Sequence, residues 1–178
     1  ADELADILYR YNGTPAGIFT GDECLSGLSP IQGTELCAVV ELMYSCEVIY
    51  AATGDAKWAE ILEKAAFNAL PAAFSDDMWA HQYDQMANQV AATGFREKSP
   101  FLTNGPESNV FGLEPNFGCC TANGGQGFPK LALAAFMHTE NLVENVIPVP
   151  SELHDHGINI ILDTAYPFEN RLEYLVSA

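Results

Sequence analysis

Thr34-Glu35-Leu36-Cys37-Ala38-Val39-Val40-Glu41-Leu42-Met43-Tyr44-Ser45-Cys46-Glu47-Val48-Ile49-Tyr50-Ala51-Ala52 is the stretch on which the fold turns. It predicts one long helix, capped at Thr34 and running to about Ala52. The apolar positions Val39, Val40, Met43, Val48 and Ile49 follow the 3.6-residue period only loosely, which predicts burial on more than one side. Gly54 follows as the residue that ends a helix in the left-handed conformation. Asp55 or Ala56 starts a second helix, with Trp58, Ile61, Leu62, Ala65, Ala66 and Leu70 on one broad face and Pro71 closing it. So short a link makes the two helices antiparallel neighbours.

Outward from this hairpin the pattern changes twice. Upstream, Leu4, Ile7, Leu8 and Tyr11 recur at helical spacing, so residues 1–12 read as the end of a helix. Residues 13–33 are rich in Gly, Pro and Ser and predict a long loop, the kind that often carries function. Downstream, 74–118 reads as irregular, with aromatics and amides among turn residues. Phe117-Gly118-Cys119-Cys120 then leads, past the Gly-rich Asn123-Gly124-Gly125, into a third helix over about 121–138. Strands are predicted over 142–150, 157–165 and 170–177, with His154-Asp155-His156 as a turn between two of them. The fold class is therefore mainly α, then β. Helices first and strands last predict a helical domain over 1–140 and the start of a β domain over 141–178.

Charge narrows the partners. The 178 residues hold 24 Asp+Glu against 7 Lys+Arg, a formal net charge of −17. A phosphate backbone needs a basic face, so nucleic acid is excluded as the main partner, and an anionic membrane surface is disfavoured. No run of 18 apolar residues occurs, so no membrane-spanning helix is expected. The opening Ala-Asp-Glu-Leu has neither Met nor a basic segment, and both ends read as cut from something longer. Asn12-Gly13-Thr14 is the only glycosylation sequon; it favours an extracellular setting, and a cytoplasmic one stays open.

Chemistry concentrates in three places. Glu35 and Cys37 sit at one helix start, Cys119 and Cys120 at another. Three thiolates and a carboxylate make four ligands, the number zinc prefers, and helix N-termini lower thiol pKa values. On the pattern alone these cysteines could equally be buried small hydrophobes, because adjacent cysteines are not a standard zinc spacing; Cys24 and Cys46 are read in that second way. Asp22-Glu23, inside the Gly-rich loop, offers a carboxylate for general acid or base work, although most of the acidic residues must be solvated surface. Trp79, His81 and Tyr83, followed by Asn88 and Gln89, suit a sugar, whose C–H faces stack on rings while its hydroxyls want polar partners. No dinucleotide fingerprint, phosphate loop, Gly-x-Ser-x-Gly or His-Glu-x-x-His occurs.

Taken together, the Asp22-Glu23 loop, Gly33-Thr34-Glu35-Leu36-Cys37, Trp79-Ala80-His81-Gln82-Tyr83, Phe111 through Thr121 and Thr164-Ala165-Tyr166-Pro167-Phe168 resemble glycoside hydrolase family 127, the β-L-arabinofuranosidase-type enzymes. The resemblance implies an (α/α)6 barrel followed by β-sandwich modules, of which this chain would supply the last part of the barrel and the first strands of a sandwich. It implies one Zn2+ held by Glu35, Cys37, Cys119 and Cys120, with Cys119 as nucleophile and Glu23 as acid/base. Because the Glu23–Glu35 spacing is shorter than in some members, Asp22 is the fallback. Retaining hydrolysis of an arabinofuranoside or related sugar is the implied activity, with Trp79, His81 and Tyr83 as candidate sugar contacts. A second reading keeps the zinc structural, as the staple of a non-catalytic carbohydrate-binding or scaffolding domain.

Overall fold

The computed structural model describes residues 1–95, 104–113 and 116–178. Helix α1 (Asp2–Asn12) leads into the 13–33 loop, followed by a two-residue strand β1 (Thr34–Glu35) and helix α2 (Leu36–Thr53). Helix α3 (Ala56–Lys64) widens into a π-helical turn (Ala65–Ala69) and ends in a single turn, α4 (Leu70–Ala72). After β2 (Asp84–Gln85) comes α5 (Gly118–Ala134), then β3 (Phe136–Thr139), β4 (Leu142–Asn145), β5 (Ser151–Asp155), β6 (Ile158–Thr164) and β7 (Leu172–Ser177). Strands β3 and β4 form one antiparallel pair, and β5-β6-β7 an antiparallel sheet of three.

Several expected boundaries move for identifiable reasons. Thr34 belongs to β1, paired with Gln85, so the cap position falls to Glu35 and α2 starts at Leu36. Gly54 does end that helix, at φ 65°, and the Asp55 carboxylate caps α3 by accepting from the Lys57 N–H at 3.0 Å. The second helix ends at Ala72, one residue past the stop expected at Pro71. The proline's missing N–H interrupts the α ladder, and the chain adapts with the π turn just before it. The third helix begins at Gly118 rather than about 121, and it gives way to β3 at Phe136, where helix was expected to 138. His154 and Asp155 are strand residues, and only His156-Gly157 turns.

The helical core is built around α2. Leu36, Val39, Val40, Met43 and Cys46 are buried against Trp58, Leu62, Ala66, Leu70 and, from α5, Leu131. Two glycines set the α2–α5 approach. A Cβ at Gly124 would lie 3.0 Å from Phe74 Cζ and 3.2 Å from Leu36 Cδ2, and one at Gly127 would lie 3.0 Å from Leu70 Cδ1. The Gly-rich segment therefore makes close helix packing possible. By length and composition alone, α2 could cross a membrane, against the expectation from the sequence; one face is buried in the helical core, whereas Tyr44 and Val48, the latter expected to be buried, are exposed. Cys46 is core, as expected, whereas Cys24 is exposed.

The 13–33 loop is tied down by Asn12, itself buried. Its side-chain carbonyl accepts from the Gly27 N–H at 2.9 Å. Thr20 donates to Gly27 O at 2.6 Å, and Thr34 to Phe19 O at 3.0 Å. At the other end, Tyr166 donates to Glu63 and packs edge-on against Phe67, joining the strand region to the helices.

Glu47 lies buried on α2, and its Oε1 has no hydrogen-bond partner among the described residues. Burial pushes its carboxyl up to about 7, opposed by Lys130. Between the unfolded carboxylate range and that value the folded chain binds the extra proton, so stability falls as pH rises through this window. Glu47→Gln should therefore raise Tm at pH 8 and leave it nearly unchanged at pH 4, as read by thermal melts at the two pH values.

Candidate metal centre and its surroundings

Three segments meet at the start of α2. The Leu36 N–H donates to Tyr83 O at 2.9 Å, the Glu35 N–H to Gly21 O at 2.9 Å, and Glu35 pairs with Asp84 in the β1–β2 ladder. The first turn of α5 closes the fourth side. These contacts bring Glu35, Cys37, Cys119 and Cys120 together, with one ligand atom from each lying within 4.8 Å of all the others. Cys37 Sγ and Cys120 Sγ are 3.2 Å apart, and Cys120 Sγ is 3.9 Å from Glu35 Oε1. Cys120 is buried, Glu35 and Cys37 are half-buried, and Cys119 is exposed.

Burial and mutual contact shift several of these groups. The hydrogen bond shared with Cys120, then burial, push the Cys37 thiol well above its ordinary range, and the Asn123 side chain works in the other direction. Burial raises Glu35 and Cys119, and neighbouring acidic groups add to both. A bound divalent cation would oppose these upward shifts. Three sulfurs and a carboxylate oxygen are a donor set that fits a tetrahedral borderline metal.

Around this cluster sits an aromatic and acidic wall. Tyr83 is 1 % exposed and stacks on Phe117, with ring centroids 3.9 Å apart and planes inclined by 20°. Its hydroxyl donates to Glu23 Oε1 at 2.9 Å. Glu23 is exposed on the loop, and its own N–H donates to Asp22 Oδ1 at 2.9 Å. Asp84 is buried deep behind this edge, where burial and then Asp22 push its carboxyl up to about 8.

The remaining expected sugar contacts separate. Trp79 is 75 % exposed at a tight turn, where Met78 has φ 63° and Asp77 accepts from both the Ser75 hydroxyl and the Trp79 N–H. His81 turns inward: it is buried, and its Nε2 lies 2.8 Å from Thr121 Oγ1, immediately after Cys120. Sequence reasoning did not single out Asn123 or Asp84. Asn123 had a signal, because in a helix starting at Gly118 it lies three and four residues after the cysteine pair, on their face. Asp84 had none beyond its charge.

The sequence profile described as "Beta-L-arabinofuranosidase, GH127 catalytic domain" matches residues 19–133, a span that holds all four clustered residues and Glu23. The chain belongs to the GH127 catalytic-domain family. Two solved structures share the fold of this GH127 chain. One, titled "Glycoside hydrolase", superposes with a TM-score of 0.67 at 17% sequence identity, covering 83% of this chain and 24% of that one. The other is a GH127 beta-L-arabinofuranosidase from Geobacillus stearothermophilus T6, with a TM-score of 0.68 at 15% identity, covering 96% of this chain and 28% of that one. The chain thus spans about a quarter of the length of the structures it matches. No curated protein matches it. Helices with small antiparallel sheets are what part of a GH127 fold contains.

Thr121→Val removes the hydroxyl that meets His81 while keeping the side chain's shape. It should destabilise the fold by about 1–3 kcal/mol, because a buried imidazole nitrogen loses its partner. Thr121→Ser should retain most of the stability, with urea unfolding as the measurement.

Proposed function

We propose that the chain is part of a retaining glycoside hydrolase acting on a β-L-arabinofuranoside or a related sugar. Cys119 is the nucleophile, Glu23 the general acid/base, and Glu35, Cys37, Cys119 and Cys120 are the residues that would hold Zn2+. The observation that carries this reading is the convergence of those four donors in a GH127 chain. When bound, zinc would keep the clustered thiols ionised at neutral pH.

The residues divide the work as follows. The Cys119 sulfur, exposed at the first turn of α5, attacks the anomeric carbon. As the C–S bond forms and the C–O bond breaks, Glu23 gives its proton to the leaving oxygen. Water then attacks the same carbon, Glu23 takes the water's proton, and the Cys119 sulfur leaves. This is the retaining scheme with a thiolate in place of one carboxylate. Tyr83 fixes the Glu23 carboxyl from behind. Glu23 rather than Asp22 takes the role because Asp22 Oδ1 is engaged with the loop backbone. Trp79 offers an exposed ring face to a sugar, and His81 acts indirectly, by bracing Thr121 beside the cysteine pair.

In this reading residues 1–140 are the C-terminal part of an (α/α)6 barrel and 141–178 the first strands of a β-sandwich, with further barrel helices completing the sugar site. One observation favours a second reading. Four protein donors make a closed coordination set, which is more usual for structural zinc. The chain would then be a zinc-stapled, non-catalytic carbohydrate-binding or scaffolding domain.

The test uses the full-length protein that carries these residues. A thiol count with metal analysis should show three thiols protected by zinc, and Cys120→Ser should lower the zinc content by about one per chain. Glu23→Gln should lower kcat about 10²–10⁴-fold while sugar binding survives, and Cys119→Ser should lower it at least as much. Hydrolysis that persists in Cys119→Ser with zinc still bound overturns the nucleophile. Sugar binding with no turnover in the unsubstituted protein favours the second reading.

A further inference from the structure

The β region holds a cluster that neither the family match nor the proposed chemistry uses, since it lies beyond residue 133. A cavity of about 720 Å³ opens between the β3–β4 and β5–β6 hairpins. His138 comes to it from β3, Asp155 from the end of β5, and His156 from the turn that follows. His156 Nδ1 lies 2.6 Å from Asp155 Oδ1, and His138 Nδ1 lies 3.4 Å from Asp155 Oδ2. The carboxylate thus has one oxygen turned to each imidazole, and Glu140 lines the same cavity.

We propose that His138, Asp155 and His156 form a site for a borderline divalent transition metal, separate from the thiol cluster. The donor set is two imidazoles and a carboxylate, which suits Zn2+, Ni2+ or Cu2+ rather than Mg2+ or Ca2+. Two imidazoles that ligate one metal at about 2.0–2.1 Å have ring centres about 5–6 Å apart. The rings of His138 and His156 are 6.2 Å apart, with planes inclined by 42°. Small side-chain rotations bring both nitrogens onto an ion seated at the Asp155 carboxylate, displacing the two His–Asp contacts. With three protein ligands the ion keeps open positions toward the cavity.

The backbone gives a second reason to read the cluster as a site. His156 and Gly157 have φ 46° and 85°, the two positive values of a tight hairpin turn whose first position favours Asn or Asp. A histidine there accepts some backbone strain and places its imidazole on Asp155. As surface ion pairs alone, these contacts would contribute little to stability.

The test is a titration of the metal-depleted, reduced chain with ZnCl2, followed by calorimetry and by equilibrium dialysis with metal analysis. Two classes of site are expected. His138→Ala and His156→Ala should each weaken the second class about tenfold or more and leave the thiol class unchanged. His154→Ala, an exposed histidine paired with Asn159 and Glu152, should change neither. Cys120→Ser should remove the thiol class alone, so failure of the thiol site and failure of this one are read separately. With Cu2+ in place of zinc, electron paramagnetic resonance should show coupling to two imidazole nitrogens, lost in the double variant His138→Ala/His156→Ala. A single class of site in the unsubstituted chain, or a second class that survives the double variant, overturns the proposal.

Discussion

The structure depends on how closely α5 can lie against α2. The two helices start at the same end of the helical core, and their first turns carry the cysteines. Side chains at positions 124 and 127 would push α5 outward, because Phe74, Leu36, Leu70 and Val40 already fill the space. Glycine at both positions lets the helices approach until Cys37 and Cys120 touch. Glycine carries a helix-propensity penalty of roughly 1 kcal/mol per residue relative to alanine. Here that loss is offset by packing, and the packing sets the geometry of the cluster.

The same approach organises the acidic edge. Once β1 is fixed at the head of α2, its pairing with β2 places Tyr83 beside the cluster, and Tyr83 in turn holds Glu23. Phe117, immediately before α5, stacks on the Tyr83 ring. Helix packing, strand pairing and ring stacking therefore act on one small region. A change in any of them would shift donors whose usefulness depends on tenths of an ångström. The buried position of Asp84 belongs to the same arrangement: a carboxyl raised to about 8 leaves one fewer negative charge behind Glu35 at neutral pH.

Much of this was legible in the residues. The long apolar helix, its Gly54 stop, the order of helices before strands, and the four grouped donors all follow from pattern and residue chemistry. The misreadings share a physical cause, because tertiary contact overrode local preference. The low helix propensity of a run of glycines puts the expected start of the third helix at about 121. Yet close packing on Leu36, Leu70 and Phe74 demands small residues there, and the helix starts at Gly118. Sequence cannot say which way a side chain faces, and His81 and Tyr83 are both buried. Trp79 faces solvent only because the Ser75–Asp77 turn bends the chain outward.

Asn12 has a consequence for covalent modification. Its amide nitrogen, the atom to which an N-linked glycan would be attached, lies 3.4 Å from Leu8 O, and its oxygen holds Gly27. Because Asn12 is also buried, a glycan on that nitrogen has room only if the side chain turns out of its place, which would release Gly27. An oligosaccharide transferred to the unfolded chain would leave the loop without its tether and Glu23 without a fixed position. The tripeptide that most resembles a secretory mark is thus, in the folded protein, a latch.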